Sequence, residues 1–495
     1  MFTPTPEIRG LRGWEIALRV LLGAALALGL TVFLLHTLQA LAARVPLDYG
    51  EGPLLNQARL LAEGRPIYRS DLSDYPYTVA NYPPLYPLAV SLVGRLAGFS
   101  YATGRVVSAL ATLACGIALG FIVLQMTGDR GAAALAGTLF LSFPYVIYWG
   151  SLGRVDMLAL AFSLWGIWAA LRWPDSPAGW GLSLLLLLAA VFTRQSYLLA
   201  APLAVLVHLA IGNRRRGVLF ALAFGMAVLL VGGILTWRTG GGFFFHIVIA
   251  NANAFVPSRM LFTWLNGLFL TVPLIILGLW ECSHYVRRRE VPWLAIAYLG
   301  GSTLSGVMVG KVGSSVNYLL EWVAAIMMLV GIALARWRRE VSPSVRWLLV
   351  LTLALQVPWS LYSGRVFLLQ CAERRTAEPE MRQLEAMVGS APGPVLADEM
   401  MSLLVLGGRE VLLQPYELTL LAAEGKWDPR RVVADMAAGK FALILITDHS
   451  PFPETSAGDR WTPQMWAVIR EQYEPVTVLA GTTVYRPRET PQNEE

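Results

Sequence analysis

Residues 14–40, WEIALRVLLGAALALGLTVFLLHTLQA, decide the fold class. They form an apolar run longer than the ~20 residues that an α-helix needs to cross the hydrocarbon of a bilayer. Arg9 to Arg19 open the segment and Ala40-Leu41-Ala42 closes it, the outline of a secretory signal peptide. A signal core holds only ~7–15 apolar residues, so this run reads as a retained first membrane helix.

Runs of the same kind recur outward from it, at residues 104–126, 131–150, 157–172, 180–193, 197–211, 217–236, 262–280, 291–308, 316–335 and 345–362, which makes about eleven membrane-spanning helices. Composition agrees, because 56% of the 495 residues are hydrophobic and only 15% charged. An ordinary soluble domain carries ~25% charged residues, so a globular soluble enzyme is excluded. The net charge of +6 would suit nucleic acid, but the arginines lie in short clusters between apolar runs: Arg9/Arg12, Arg130, Arg172, Arg214–Arg216, Arg287–Arg289 and Arg336–Arg339. This is the positive-inside pattern, which assigns those connections and the N-terminus to the cytoplasm and leaves no reason to expect a nucleic-acid partner. The three cysteines, Cys115, Cys282 and Cys371, make neither a disulfide framework nor a metal-binding pair.

The apolar stretch Tyr86 to Gly98 would place Arg130 outside if it crossed the membrane. It reads instead as a half-inserted or surface helix, opened by Asn81-Tyr82-Pro83-Pro84-Leu85-Tyr86-Pro87, whose prolines interrupt regular helix. Residues 41–103 then form one large external first loop. The short spans 180–193 and 197–211 read as a tight helical pair whose tip, Thr193-Arg194-Gln195-Ser196, reaches the outer surface. After Leu361 the chain becomes charged, and Pro394-Val395-Leu396-Ala397 and Phe441 to Ile446 read as short strands between helices. The expected architecture is an all-α polytopic membrane domain, residues 1–365, followed by a small C-terminal extracytoplasmic α/β domain, residues 366–495. An odd number of crossings from a cytoplasmic start places that domain outside.

In this topology the unusual polar residues gather on the external side. A carboxylate in Asp48-Tyr49-Gly50-Glu51, at the low-dielectric boundary, can keep a raised pKa and take a proton from an incoming hydroxyl; the plainer alternative is a solvated loop acid. Asp156, in Gly153-Arg154-Val155-Asp156, needs a cationic partner, which Arg154 or Arg59 could supply, either as a helix-end ion pair or facing substrate. Lys311, in the stretch from Gly310 to Tyr318, occupies an outer loop where few cations belong. Together with Arg194 it could hold a phosphate leaving group, or both could snorkel to lipid headgroups. The Walker spacing is missing, so no nucleotide cofactor is expected. Gly240 to Phe255, with His246, Asn251 and Asn253, fits either an interfacial aromatic anchor or a sugar- or metal-binding loop. Glu321 is the acid most immersed in the membrane and is a site candidate on cost alone.

Taken together, the acid pair Asp48 and Glu51, the stretch Tyr82-Pro83-Pro84-Leu85-Tyr86-Pro87, Asp156 at a span end, and Gly310-Lys311 before Tyr318 fall in an order that resembles the GT-C glycosyltransferases. The likeness is to the undecaprenyl-phosphate aminoarabinose transferases and the related protein O-mannosyltransferases, and it covers most of the chain. It implies a sugar carried on a polyprenyl phosphate and transferred with inversion at the outer face of the cytoplasmic membrane. Asp48 would be catalytic base or acceptor-orienting acid, with Glu51 beside it. Lys311 and Arg194 would bind the donor phosphate, while Asp156, Arg154, Tyr82, Tyr318 and Glu321 would shape the site. The resemblance also implies a divalent metal ion as a cofactor to test for. Against it, Asn81-Tyr82-Pro83-Pro84 stands where the aminoarabinose transferases carry a metal-binding Glu-Lys-Pro, and the position of their histidine falls near Asn251, with His246 a few residues away.

The reading is a lipid-phosphate-sugar-dependent glycosyltransferase with a membrane-borne donor and an acceptor, lipid, glycan or protein, that the sequence does not name. The alternative is a lipid-linked-sugar flippase or other transporter. Such proteins usually place ionisable residues near the midplane in related halves, a signature missing here. A third reading is a sensor or scaffold indifferent to loss of Asp48.

Overall fold

A computed structural model describes residues 13–288, 292–340, 343–447 and 460–488. Arg9, Arg12 and Arg289 lie outside the described residues, as do the side chains of Cys282, Arg287 and Arg288. The chain is mostly helical. The membrane part runs α1 (Gly13–Ala42), α2 (Glu51–Ala62), α3 (Leu85–Ala97), α4 (Tyr101–Thr127), α5 (Arg130–Leu141), α6 (Pro144–Ser151), α7 (Asp156–Arg172), α8 (Pro177–Thr193), α9 (Ala200–Gly212), α10 (Arg214–Arg238), α11 (Gly242–Phe244), α12 (Pro257–Arg288), α13 (Trp293–Gly306), α14 (Leu320–Glu340) and α15 (Pro343–Ser363).

Each predicted span falls on a helix. By length and apolar content seven helices among the described residues could cross a membrane, or nine if each of two bent pairs counts as one span. One bent pair is α5 and α6, which turn by 63° at Pro144, where a missing amide hydrogen ends the first helix. The helices differ sharply in what surrounds them. From Trp322 to Ala335 α14 is apolar and buried, the pattern of a central helix, whereas α10 exposes Leu219, Leu222, Met226, Leu229 and Leu230. Apolar side chains exposed along a whole helix require a hydrocarbon solvent. Where α4 and α5 meet, a side chain on Gly137 would strike the Gly116 carbonyl at 2.6 Å, so the two backbones touch as small residues allow in membrane helices. Arg216 pairs with Asp175, which joins the α9/α10 turn to the α7/α8 turn.

The first loop carries α2 and α3 packed together. α3 is 13 residues long, which gives ~20 Å and falls short of a crossing. It buries Tyr86, Val90 and Gly94 and exposes Leu88, Leu92 and Leu96 on another face, as a surface helix would.

The C-terminal part comprises α16 (Arg365–Thr376), α17 (Glu378–Ser390), β1 (Val395–Ala397), α18 (Met401–Leu406), α19 (Pro415–Ala423), α20 (Arg430–Ala437), β2 (Leu443–Thr447), α21 (Pro463–Gln472), β3 (Tyr473–Leu479) and β4 (Thr482–Pro487). The sheet order is β1-β2-β4-β3; β1 pairs parallel with β2 (Val395 with Leu443), and β4 pairs antiparallel with β2 (Ile444 with Tyr485) and with β3. The two runs predicted as strands are β1 and β2. This domain shares a core with the first loop: Tyr77 and Val79 pack with Leu396, Leu413, Trp427 and Ile444. A backbone ladder joins them too, the Tyr77 amide donating to the Leu412 carbonyl at 2.7 Å and the Gln414 amide to the Tyr77 carbonyl at 2.9 Å.

Candidate functional site

A buried ion pair holds the corner where the chain leaves α1 and turns into α2. Glu51 accepts from Nε and Nη2 of Arg105 on α4 at 2.8 and 2.7 Å, from the Gly153 amide at 2.8 Å and from the Leu47 amide at 2.9 Å. Arg105 also donates to the carbonyls of Ala40, Ala43 and Val45. Complete pairing is the condition under which buried charge is tolerated. Burial alone would raise the Glu51 carboxyl, but the Arg105 guanidinium beside it holds it below the usual carboxylate range. The catalytic expectation for Glu51 is corrected accordingly. With both oxygens committed to Arg105 and two amides, it anchors the corner that presents Asp48.

Asp48 Oδ1 accepts from the Gly50 amide at 2.8 Å and from Arg154 Nη1 at 2.8 Å. Arg154 Nη2 donates to the Tyr82 hydroxyl at 3.0 Å, and the guanidinium lies over the rings of Trp149 and Tyr82. Burial raises the Asp48 carboxyl and the Arg154 charge opposes the rise. Gly50 makes this approach possible, since a Cβ there would sit 1.3 Å from Arg154 Nη1.

Tyr49, Gly50, Tyr82 and Arg154 line an open cleft, together with Asn251, Asn253, Lys311, Asn317 and Tyr318. Asp48 stands directly behind this wall. Two loops are zipped to position Lys311: Phe255 bridges it antiparallel, the Val256 amide donates to Gly310 at 2.7 Å, and the Val312 amide donates to Ala254 at 2.9 Å. Lys311 Nζ donates to Asn251 Oδ1 at 2.8 Å and has no carboxylate within ion-pair distance among the described residues. Its partial burial, and then the charge of Arg194, bring the ammonium down to about 8. Such a cation lacks only an anion.

Asp156 opens α7 and pairs with Arg194, which follows the end of α8; both are buried. Asn317 Nδ2 donates to the same carboxyl oxygen at 2.9 Å. The expected partners, Arg154 and Arg59, are thereby corrected. Arg154 serves Asp48, and Arg59 lies near Glu63 and donates to the carbonyls of Val405 and Arg409. Arg194 does not line the cleft. It stacks at 4.2 Å under Tyr318, which does. Arg194 Nη2, Asp156 Oδ2, Asn317 Oδ1 and Asn81 Oδ1 are buried without a partner. Of these residues Asn81 and Asn317 line the cleft, and unpartnered buried polar atoms there mark a place built for a polar guest or for water. Glu321 accepts from the Ser163 hydroxyl at 3.3 Å inside the bundle, away from the cleft, which corrects its expected place in the site.

One cleft residue escaped the sequence reading. Glu417, on α19 of the C-terminal domain, takes the Tyr49 hydroxyl on Oε2 and lies 3.4 Å from Asn81 Nδ2 through Oε1. Burial pushes its carboxyl up to about 7. Pro415-Tyr416-Glu417 carries only the signature of a helix start, proline at the first turn with an acid after it. The signal is tertiary.

No family model and no curated protein matches the chain by sequence. Solved structures match it by shape. ArnT from Cupriavidus metallidurans in the apo state superposes with a TM-score of 0.64 at 14% identity, covering 96% of this chain and 97% of that one. The same protein bound to undecaprenyl phosphate gives 0.60 at 14% identity, covering 96% and 98%. The archaeal oligosaccharyltransferase AglB from Archaeoglobus fulgidus, in complex with an inhibitory peptide and a dolichol-phosphate, gives 0.54 at 10% identity, covering 94% and 75%. The chain has the GT-C fold. In this fold the cleft described above lies between the first loop, the α13–α14 loop and the C-terminal domain.

The residues present do not fit a divalent metal ion in this GT-C cleft. Among the described residues no three His, Cys, Asp or Glu side chains come together. His246 accepts from the Ala80 amide on Nδ1 at 3.2 Å and donates from Nε2 to the Arg69 carbonyl at 2.9 Å, so neither nitrogen is free. Burial lowers its imidazole to about 4 and keeps it neutral. The expectation of His246 as an acceptor or metal ligand is corrected: it fastens its loop to the first loop, between α1 and α4. Asn251 does line the cleft, where it holds Lys311 and donates to the Asn81 carbonyl at 3.0 Å.

Proposed function

We propose that this protein is a multi-pass glycosyltransferase of the cytoplasmic membrane, its N-terminus cytoplasmic and its C-terminal domain outside, moving a sugar from a polyprenyl-phosphate donor to an acceptor hydroxyl at the outer face. The observation that carries the reading is Lys311, an ammonium without a carboxylate partner, fixed in a cleft that is also lined by Arg154, the partner of Asp48. ArnT, of the same fold, is named as bound to undecaprenyl phosphate, and AglB as complexed with a dolichol-phosphate and a peptide.

In the proposed step the acceptor oxygen attacks the anomeric carbon as the bond from that carbon to the phosphate oxygen breaks. The configuration inverts in a single displacement. The hydroxyl proton passes to Asp48 Oδ2, the oxygen not engaged by Arg154, and the polyprenyl phosphate leaves as an anion held by Lys311. Arg154 keeps Asp48 in place, and Tyr318 over Arg194 supports the wall behind the phosphate. A polyprenyl phosphate already carries an activated glycosyl bond, so positioning, proton removal and charge stabilisation are enough, with no step through a metal.

The test is transfer of radiolabelled sugar from a synthetic polyprenyl-phosphate donor to a host membrane extract, comparing wild type with Asp48→Asn. Label appearing with wild type and lost in Asp48→Asn, while the variant still binds undecaprenyl phosphate, supports the reading. Equal labelling by both removes Asp48 from the step, and no labelling with no lipid-phosphate binding by wild type refutes the transferase.

A further inference from the structure

We infer that the C-terminal domain forms the acceptor side of the cleft, and that Glu417 is a specificity-determining residue that accepts a hydrogen bond from a sugar hydroxyl of the acceptor. The inference rests on the transferase reading and extends it to the acceptor.

Three observations carry it. First, Glu417 is the only carboxylate lining the cleft among the described residues, and around it stand Tyr49, Tyr416, Gln57 and Gln414. Aromatic faces, amides and one carboxylate are a lining suited to a polyol, which offers hydroxyl donors and apolar ring faces. Second, the domain is fastened where this requires. The Val79 amide donates to Gln414 Oε1 at 3.0 Å, and the Tyr416 ring meets the Tyr49 ring edge-on at 6.1 Å. The helix start bearing Glu417 is thus fixed to the strand-like segment that runs into Asn81 and Tyr82. Third, Glu417 is held by exchangeable neutral donors and not by a cation: Tyr49 serves Oε2, the Gln414 side chain also favours the ionised form, and Asn81 Nδ2 reaches Oε1 at the long distance of 3.4 Å. A sugar hydroxyl can take the place of that long amide contact.

Lys311 and Glu417 then divide the cleft by charge. The ammonium attracts the donor phosphate. The carboxylate repels phosphate or carboxylate groups and favours hydroxyl donors, so the acceptor group at this subsite is an uncharged sugar. Other titratable or charged groups at the cleft are Tyr49 and Tyr416 beside Glu417, with Arg154, Tyr82, Lys311 and Tyr318 along the other walls. Of these, Tyr49 and Arg154 favour the ionised form, while burial opposes it and sets the midpoint near 7. Acceptor binding should therefore strengthen as pH rises through about 7.

The experiment measures initial transfer rates from a labelled polyprenyl-phosphate sugar against increasing amounts of host membrane glycolipid extract, below, at and above that pH. Wild type should show an acceptor half-saturation that falls as pH rises. Glu417→Gln, which can still accept from Tyr49, should raise it by about tenfold, the scale of one charge-assisted hydrogen bond, and flatten its pH dependence. Glu417→Asp should restore part of the pH dependence. Tyr49→Phe should move the midpoint upward without abolishing it, because it removes a donor that stabilises the ionised form. Undecaprenyl phosphate binding and thermal stability should be unchanged in Glu417→Gln. A Glu417→Gln enzyme with wild-type acceptor half-saturation and pH profile would overturn the inference while leaving the transferase intact. Joint loss of lipid-phosphate binding and stability in that variant would overturn it in favour of a structural wedge. A wild type that transfers nothing would refute the underlying reading and the inference with it.

Discussion

Replacing Gly50 by alanine should separate the Asp48–Arg154 pair without disturbing the fold. Gly50 has φ −70° and ψ −11°, a conformation alanine adopts freely. The backbone therefore raises no objection, and the smaller entropy of the unfolded alanine chain would add up to about 1 kcal/mol of stability. The objection comes chiefly from Arg154, whose Nη1 would lie 1.3 Å from the new methyl group, against an ordinary contact that begins at 3.4 Å; Asp48 Oδ1, at 3.0 Å, is crowded far less. The guanidinium must retreat by the difference, about 2 Å. A hydrogen bond that now measures 2.8 Å is then out of reach. Both partners are nearly enclosed, with side-chain exposures of 11% and 13%, so solvent screens little of the loss. One charge-assisted hydrogen bond of this kind contributes ~1.5–3 kcal/mol. If it is needed to hold Asp48 in the transition state, kcat/KM for transfer falls roughly 10- to 150-fold. The assay is label transfer from a polyprenyl-phosphate sugar, with Gly23→Ala as control, because nothing lies within 4 Å of a methyl group there. A Gly50→Ala enzyme that transfers at the wild-type rate with an unchanged melting temperature would refute the coupling of Arg154 to Asp48.

Two further predictions follow from the same geometry. Glu51→Gln leaves the Arg105 guanidinium buried without its counter-ion, which should destabilise the protein by ~3–5 kcal/mol and lower its thermal midpoint far more than Asp48→Asn does, in a detergent-solubilised melting assay. Lys311→Met should weaken undecaprenyl phosphate binding by roughly 10- to 100-fold. Because burial depresses the Lys311 ammonium to about 8, wild-type affinity should be complete below that pH and decline above it, while the Lys311→Met binding curve should be level through the same range.

The spans were legible because crossing a bilayer demands a length of apolar chain that little else produces, and each predicted run carries a helix. The shortness of α3 was legible for a similar reason, since the prolines at its start argued against a full-length helix there. The partners of the charges were not legible. Asp156 was assigned Arg154 or Arg59, but residues two apart on a chain entering a helix do not face each other, and the partner came from Arg194 at the end of the next helix. Asp48 and Glu51 look equivalent in Asp48-Tyr49-Gly50-Glu51. What distinguishes them is Arg105, 54 residues away, which claims Glu51 and leaves Asp48 to Arg154. Glu417 lay further out of sight, because its place depends on how a whole domain docks on the first loop through Tyr77 and Leu413.

The balance of charge gives the cleft a direction. Arg105 is matched by Glu51, Arg154 by Asp48 and Arg194 by Asp156, three pairs that fix the walls and cancel one another. Lys311 and Glu417 remain. They line the same cleft yet make no ion pair with each other, so neither cancels the other's field. Had they paired, the site would hold no cation for a phosphate and no carboxylate for a hydroxyl. Kept apart, they can bind two different guests at once, an anionic leaving group at the zipped loops and a hydrogen-bond donor at the soluble domain. Asp48 stands behind Gly50 and Arg154 on the wall between the first loop and these two, where a proton released by the acceptor could be taken as phosphate charge develops at Lys311. On this reading the C-terminal domain is part of the transfer site, and its docking against Tyr77 and Val79 is what closes the cleft on the acceptor side.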